Sequence, residues 1–396
     1  MSSQKKENAV SLSIDNLVNI YAKVMDENID RIKTDKKFNI EYEVRFDSFK
    51  IKNQAVFENV FKYLYSHNFQ ISNTSYNLKT TPLFEAEVDK NFSSKIRIEV
   101  DGLSNIQEFC KYNDVENEKN KKYVLKEYAE KGITRAYQND DFKFRTSIQK
   151  EITLHKNNLK VTQINNSWGS SPKTFRYVQR SSLTSVNFPN IRVDMSKVKM
   201  NKQKNVKISN TNIFNEPETY DIEIELLNPY NLYDDDFKNS LVKQLKIVIK
   251  YILSGIQGTN FPQTNDQLKH VYNNYMGTIK KMNKEPKDVF YKFNTKYFIG
   301  PNSYTLQKEN LVENPTSNTI CIKNDFCVTD KADGERKMLF IYNNMIYLIN
   351  TGLDFQYSGL KINPKKNIKN VLIDGEHIEF DKYGNYINLF AAFDLY

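Results

Sequence analysis

Residues 218–230 read ETYDIEIELLNPY, and residues 40–46, far upstream, read IEYEVRF. In the first, Asp221, Glu223 and Glu225 alternate with Ile222, Ile224 and Leu226. In the second, Glu41, Glu43 and Arg45 alternate with Tyr42, Val44 and Phe46. A β-strand has a side-chain period of two, so each stretch sets its charges in one column and its apolar residues on the opposite face. Carboxylates two residues apart on one face repel, so such a column calls for water or for a cation.

Four more stretches share the texture. KIRIEV places Lys95, Arg97 and Glu99 together. DFKFRTSIQKE aligns Lys143, Arg145 and Ser147, with Glu151 further down. FRYVQRSS aligns Arg176, Val178, Arg180 and Ser182, and NIRVDM aligns Arg192 with Asp194. Any one of these alone reads as a half-exposed strand with a solvated face. Six of them predict a barrel with a polar lumen and an apolar exterior packed against other elements. Hard cations such as Mg²⁺ or Mn²⁺ take oxygen ligands, and Glu-x-Glu on two neighbouring strands brings four carboxylates to one place. Arg and Lys opposite them suit phosphate oxygens, Arg gripping two at once. The pattern therefore predicts a metal–polyphosphate site.

Composition sets the bounds. A chain of 396 residues exceeds one ordinary core, so two domains are expected. The excess of 57 Lys+Arg over 48 Asp+Glu, a net charge of +9, favours a polyanionic partner. No stretch reaches the ~18 apolar residues of a membrane-spanning helix. The start, MSSQKKENAV, lacks the apolar core of a secretory signal. Cys110, Cys321 and Cys327 make no disulfide framework, and His67, His155, His270 and His377 have no familiar zinc spacing. The expectation is a soluble intracellular protein without a membrane partner. Residues 13–32 read as an amphipathic helix with Leu17, Tyr21, Val24 and Met25 on one stripe and Asp15 as cap. Residues 112–123 and 165–172 read as loops, and 228–240 as a turn-rich break before a helix over 240–256. The domain boundary is expected there, giving domains 1–230 and 231–396.

The two Glu-x-Glu strands resemble those of the triphosphate tunnel metalloenzymes, which include fungal, protozoan and large-DNA-virus RNA 5′-triphosphatases. The resemblance covers roughly residues 38–227. It implies an antiparallel eight-stranded β-tunnel, with Glu41, Glu43, Glu223 and Glu225 as catalytic metal ligands and Asp221 as an adjacent acid. It implies Arg97, Lys143, Arg145, Arg176, Arg180 and Arg192 as substrate-binding residues, with Glu151 and Asp194 beside them.

Further on, VTDKADGERKMLF (328–340) carries Lys331, Asp333, Gly334 and Arg336, and VLIDGEHIEF (371–380) carries Asp374, Gly375 and Glu376. A lone Lys-x-Asp-Gly is a weak signal, commonly a surface turn. In this order, and with YINLFAAFDLY after them, these stretches resemble motifs I, III and IIIa of the covalent nucleotidyltransferases, the guanylyltransferases and polynucleotide ligases. That implies an α+β domain in which Lys331 attacks the α-phosphate of GTP, Arg336 contacts the ribose and Glu376 serves nucleotide and metal. Phe390 or Phe393 would stack on the base. The chain stops at Tyr396, before motifs IV and V and the OB-fold. The expectation is thus a partial transferase domain, inactive by itself, in a longer enzyme. A tunnel followed by Lys-x-Asp-Gly is the order in capping enzymes of large cytoplasmic DNA viruses. It implies 5′-triphosphate RNA as substrate, GTP as substrate of the full-length enzyme, a methyltransferase domain or subunit, and a setting in host cytoplasm, viral factory or virion. The alternatives are a polynucleotide ligase fragment and a non-catalytic RNA-binding barrel.

Overall fold

The computed structural model describes residues 13–46, 50–85, 91–93, 96–113, 121–130, 136–201, 204–227, 231–283, 295–300, 305–312, 321–323, 326–328, 331–366, 368 and 370–396. Lys95 lies outside them. The chain forms two compact units, Met1–Gly258 and Thr259–Tyr396.

Eight strands build the first: β1 (Phe38–Phe46), β2 (Gln70–Glu85), β3 (Ile96–Asp101), β4 (Lys121–Tyr128), β5 (Phe144–Leu154), β6 (Lys173–Thr184), β7 (Ile191–Met200) and β8 (Thr219–Leu226). Around the sheet they run β1-β8-β7-β6-β2-β3-β4-β5, each pair antiparallel, and β5 pairs back onto β1 to close the barrel. The closing register sets Glu43 opposite Ser147 and Arg45 opposite Arg145. A short strand, Asn91–Ser93, extends β2, and another, Tyr137–Asn139, extends β5.

Helices cover the outside: α1 (Ile14–Glu27), α2 (Ile29–Thr34), α3 (Gln54–Ser66), α4 (Leu103–Tyr112), α5 (Leu159–Ser167) and α6 (Asp235–Gln257). The even-numbered residues of β1 and β8, from Ile40 to Phe46 and Tyr220 to Leu226, are buried with α1, α3 and α6. A second cluster joins Ile96, Ile98 and Val100 of β3 to Ile106 and Phe109 of α4, and to Val161 and Ile164 of α5. Removing these outer faces from water gains about 25 cal/mol per Å² of apolar area, which commits Glu41, Glu43 and Arg45 of β1 and Glu223 and Glu225 of β8 to the lumen.

The opening helix is capped by the Ser13 side chain rather than by Asp15, which instead sits in the first turn and pairs with Lys246 of α6 at 2.7 Å. Asn28 breaks the expected 13–32 helix in two. Part of the expected loop at 165–172 belongs to α5, because Asn158 caps a helix that runs to Ser167. The first unit also continues past 230, since α6 buries Leu241, Leu245, Val248 and Ile252 in its core.

The second unit contains α7 (Asn265–Asn283) and five antiparallel strands: β9 (Glu335–Tyr342), β10 (Met345–Asn350), β11 (Phe355–Lys361), β12 (Val371–Phe380) and β13 (Tyr386–Leu395). Their order is β11-β10-β9-β12-β13. Val271, Tyr275, Met276 and Ile279 of α7 pack on Met338, Phe340, Tyr347 and Leu372 of the sheet.

Gly255 on α6 is where that helix touches α3: an added Cβ would come 2.5 Å from the Val60 Cα. Gly255→Val is expected to lower the stability of the first unit by about 1–3 kcal/mol, read as a lower urea midpoint. An unchanged midpoint would contradict this packing.

Candidate active site

The barrel encloses a cavity of about 680 Å³ whose wall carries eight basic and six acidic side chains. The strands that supply the glutamates, β1 and β8, are neighbours, and their register puts Glu43 opposite Glu225 and Arg45 opposite Glu223. Half-way round the ring stand β2 and β3, which present Lys79, Arg97 and Glu99. Arg176 and Arg180 of β6 adjoin them, with Arg176 opposite Lys79 in register. Chain geometry therefore separates the charges: carboxylates cluster on one arc, and bases cluster on the arc facing it.

Ion pairs run between and along these arcs. Glu223 is 2.8 Å from the Arg180 Nη2 and 3.3 Å from the Arg45 Nε. Arg192 donates to Glu225 at 2.5 Å and, through Nε, to Asp194 at 3.0 Å. Asp194 is fully buried and also accepts from Arg180 and, at 2.6 Å, from the Ser182 hydroxyl. Arg45 and Arg176 both donate to Asp221. Lys126 donates to Glu41 at 2.5 Å and lies 3.1 Å from Glu151, which Arg97 also reaches at 3.3 Å.

Of the expected site residues, Glu41, Glu43, Glu223, Glu225, Arg97, Arg145, Arg176, Arg180 and Arg192 all line this cavity. Lys143 does not. Its backbone is left-handed (φ 55°), one residue before β5 begins, and its ammonium pairs with Asp140 at 2.7 Å. The alternation of 143, 145 and 147 thus overruns the start of the strand. Two lining bases, Lys79 and Lys126, were not singled out from the sequence.

The expected convergence of four glutamates on one point is also modified. Glu41, Glu223 and Glu225 each point to a nearer basic partner, and no group of three or more His, Cys, Asp or Glu among the described residues is arranged to hold a metal ion. Whether the residues suit a divalent cation turns on how far their charges are already met. Glu43 forms no ion pair among the described residues, and burial together with Glu223 pushes its carboxyl up. Burial and Glu41 push Glu225 up to about 7 despite Arg192. Burial raises Glu223 too, but Arg180, Arg45 and Arg176 outweigh it and hold that carboxyl at about 2. Closely spaced buried carboxylates, two of them pushed up by burial and by a neighbouring carboxylate, are an oxygen donor set of the kind a hard cation takes.

In the second unit, Arg336 donates to Asp374 through Nε at 3.1 Å and Nη2 at 2.6 Å, and stands opposite Glu376 in register. The Glu376 Oε2 is buried with no hydrogen-bond partner among the described residues. Lys331 is exposed, its Nζ 3.3 Å from the carbonyl of Ala332. Phe390 stands opposite His377, which puts it on the face of the sheet away from Arg336 and Glu376. Phe393 is 53% exposed and falls at the register shift between Asp374 and Gly375.

No family model matches the chain. Over 230 residues it is 28% identical to a probable mRNA-capping enzyme of Acanthamoeba polyphaga mimivirus, a match that spans 57% of this chain and 16% of that relative. Among solved structures it is similar to the RNA triphosphatase domain of a trifunctional mimivirus mRNA capping enzyme, at 20% identity and a TM-score of 0.39, covering 59% of this chain and 97% of that one. It is similar also to an RNA triphosphatase of S. pombe, at 10% identity and a TM-score of 0.32, covering 64% and 96%.

Lys79 gives the site a pH signature. Burial, with Arg97 and Arg180 close by, pushes its ammonium down from 10.5 to about 8 against the pull of Glu99. Its positive charge is therefore present in the folded protein below about pH 8 and lost above it. Affinity for inorganic tripolyphosphate is expected to fall as pH rises from 7 to 9, and Lys79→Arg, charged throughout, is expected to flatten the fall. Calorimetric titration at both pH values decides, and an undiminished slope in the variant contradicts the assignment.

Proposed function

We propose that the first unit hydrolyses the terminal phosphate of 5′-triphosphate RNA, the opening reaction of mRNA capping. The observation that carries this reading is the facing of a carboxylate arc (Glu41, Glu43, Glu223, Glu225) by a basic arc (Lys79, Arg97, Arg176, Arg180) inside one closed lumen. A site for polyphosphate alone would need only the bases, and a site for a cation alone only the acids. The similarity to a probable mRNA-capping enzyme supports RNA as the carrier of the triphosphate. A non-catalytic RNA-binding barrel would hold its bases outside, along the path of a sugar–phosphate backbone.

In this reading Glu41, Glu43, Glu223 and Glu225 would hold Mg²⁺ or Mn²⁺, which when bound supplies Lewis-acid polarisation of the terminal phosphoryl group. The chain's own residues do the rest. Arg176, Arg180, Arg97 and Lys79 grip the phosphate oxygens, where charge builds up during in-line displacement. Asp221 and Asp194 hold Arg45, Arg176, Arg180 and Arg192 in place before substrate arrives, so the guanidinium groups need little reorganisation. The closed wall limits access to the phosphorus to a line along the tunnel.

The second unit fits the start of a guanylyltransferase, with Lys331 as nucleophile towards GTP and Arg336, Asp374 and Glu376 forming one wall of the nucleotide pocket. In this reading the protein acts in the cytoplasm or a viral factory.

RNA labelled at the γ-phosphate tests the first proposal. Release is expected only with Mg²⁺ or Mn²⁺, and Glu41→Gln or Glu223→Gln is expected to slow it on the order of 10²-fold or more. Release at the wild-type rate in either variant would sink the assignment. Because the two units are separately compact, Lys331→Ala is expected to leave the release rate unchanged. A large loss there would mean that the tunnel depends on the transferase unit.

A further inference from the structure

Most of the lumen is charged, but two arcs are not: one is Ser75 and Asn77 of β2 with Val178 of β6, and the second lies on β4 and β5. Tyr128 and Gln149 line the second as a cross-strand pair, and Gln138 lies beside β5 four residues further along the same column. Tyr128 is the last residue of β4 and stands opposite Gln149 of β5, which in turn stands opposite Glu41 of β1. Gln138, on the short strand Tyr137–Asn139, stands opposite Arg145, which itself faces Arg45. This second arc thus begins beside the glutamates and ends beside a pair of arginines.

Tyr128 is the one aromatic ring among the lining residues. Among the described residues it stacks on no other ring and its hydroxyl has no hydrogen-bond partner. Its outward neighbours do not explain it either, since the buried part of β4 is Tyr123, Val124 and Leu125, and Tyr128 lies beyond them. The amides and the hydroxyl could donate to phosphate oxygens, but phosphate recognition has no use for the unstacked ring. A nucleoside does. An aromatic face takes a nucleobase by stacking, and a carboxamide offers a donor and an acceptor to a base edge or a ribose hydroxyl.

We infer that Tyr128, with Gln149 and Gln138, forms a nucleoside subsite that receives the first nucleoside of the substrate while the basic arc holds its phosphates. This rests on the phosphohydrolase reading of the tunnel and adds to it the part of the substrate beyond the triphosphate. Stacking is tolerant of base identity, so the subsite accepts any nucleotide as the first of the chain, as an enzyme acting on many RNA ends requires.

Two substrates that differ only by the nucleoside separate the possibilities: ATP and inorganic tripolyphosphate, each with Mn²⁺. Tyr128→Ala is expected to raise the KM for ATP on the order of tenfold, with tripolyphosphate unchanged, and Tyr128→Phe to resemble the wild type. Tyr128→Leu, which keeps the wall filled, is expected to behave as the alanine variant does. Binding of the β,γ-imido analogue of ATP, read by calorimetry, should weaken in parallel. Equal losses on both substrates in the leucine variant, or no loss on ATP, would overturn the subsite. A wild type that cleaves neither compound would sink the hydrolase reading instead, and comparing imido-analogue binding with tripolyphosphate binding would still decide whether Tyr128 holds a nucleoside.

Discussion

Fourteen ionisable side chains face one another across a lumen that a closed sheet narrows and partly screens from water. Withdrawing a charge from water costs several kcal/mol unless a partner meets it, and here partners come from different strands. Glu223 of β8 needs Arg180 of β6 and Arg45 of β1, and Glu41 of β1 needs Lys126 of β4. No strand could bear its inward column alone. Pairing of β4 with β5 sets Glu151 opposite Lys126, and the closure of β5 onto β1 is what brings Glu41 within reach of that same ammonium.

The pairing is incomplete, and the places where it fails are where chemistry is to be expected. Glu43 lacks an ion pair among the described residues, Glu225 is pushed up to about 7 even with Arg192 beside it, Lys79 is pushed down to about 8 even with Glu99 3.5 Å away, and Arg145 stands opposite Arg45. Surplus negative charge on one arc is what a cation relieves. Surplus positive charge on the other is what a polyphosphate relieves. Neither need arises from the fold, whose apolar contacts lie outside the barrel with α1, α3 and α6 on one side and α4 and α5 on another.

The four glutamates and the tunnel were legible in the sequence because β1 and β8 alternate cleanly, one face charged and the other apolar. Two strands of the ring were not legible, and the reasons are physical. In β2 the inward Ser75 and Asn77 are uncharged and the outward Thr80 is polar, so the contrast between faces fades. In β4, Tyr123, Val124 and Leu125 are buried in succession, which erases the period of two and hides Lys126. Lys143 shows the opposite error, an alternation that continues in the letters after the backbone has turned. The expected boundary at 230 falls short of the end of the first unit because the turn-rich letters of 228–240 overlap the start of α6, at Asp235. That helix is amphipathic, and its apolar stripe packs back on the core. In the second unit Arg336 and Glu376 stand opposite in register, while Asp374, which holds the guanidinium, read only as part of a motif.

The central claim is that cation and polyphosphate share the lumen, each answering the charge that the other arc leaves over. Titration of Mn²⁺ followed by electron paramagnetic resonance, with and without inorganic tripolyphosphate, measures that directly. The account predicts that the protein binds Mn²⁺ more tightly with tripolyphosphate present and that Glu43→Gln removes the gain. Mn²⁺ binding that is indifferent both to tripolyphosphate and to Glu43 would contradict it.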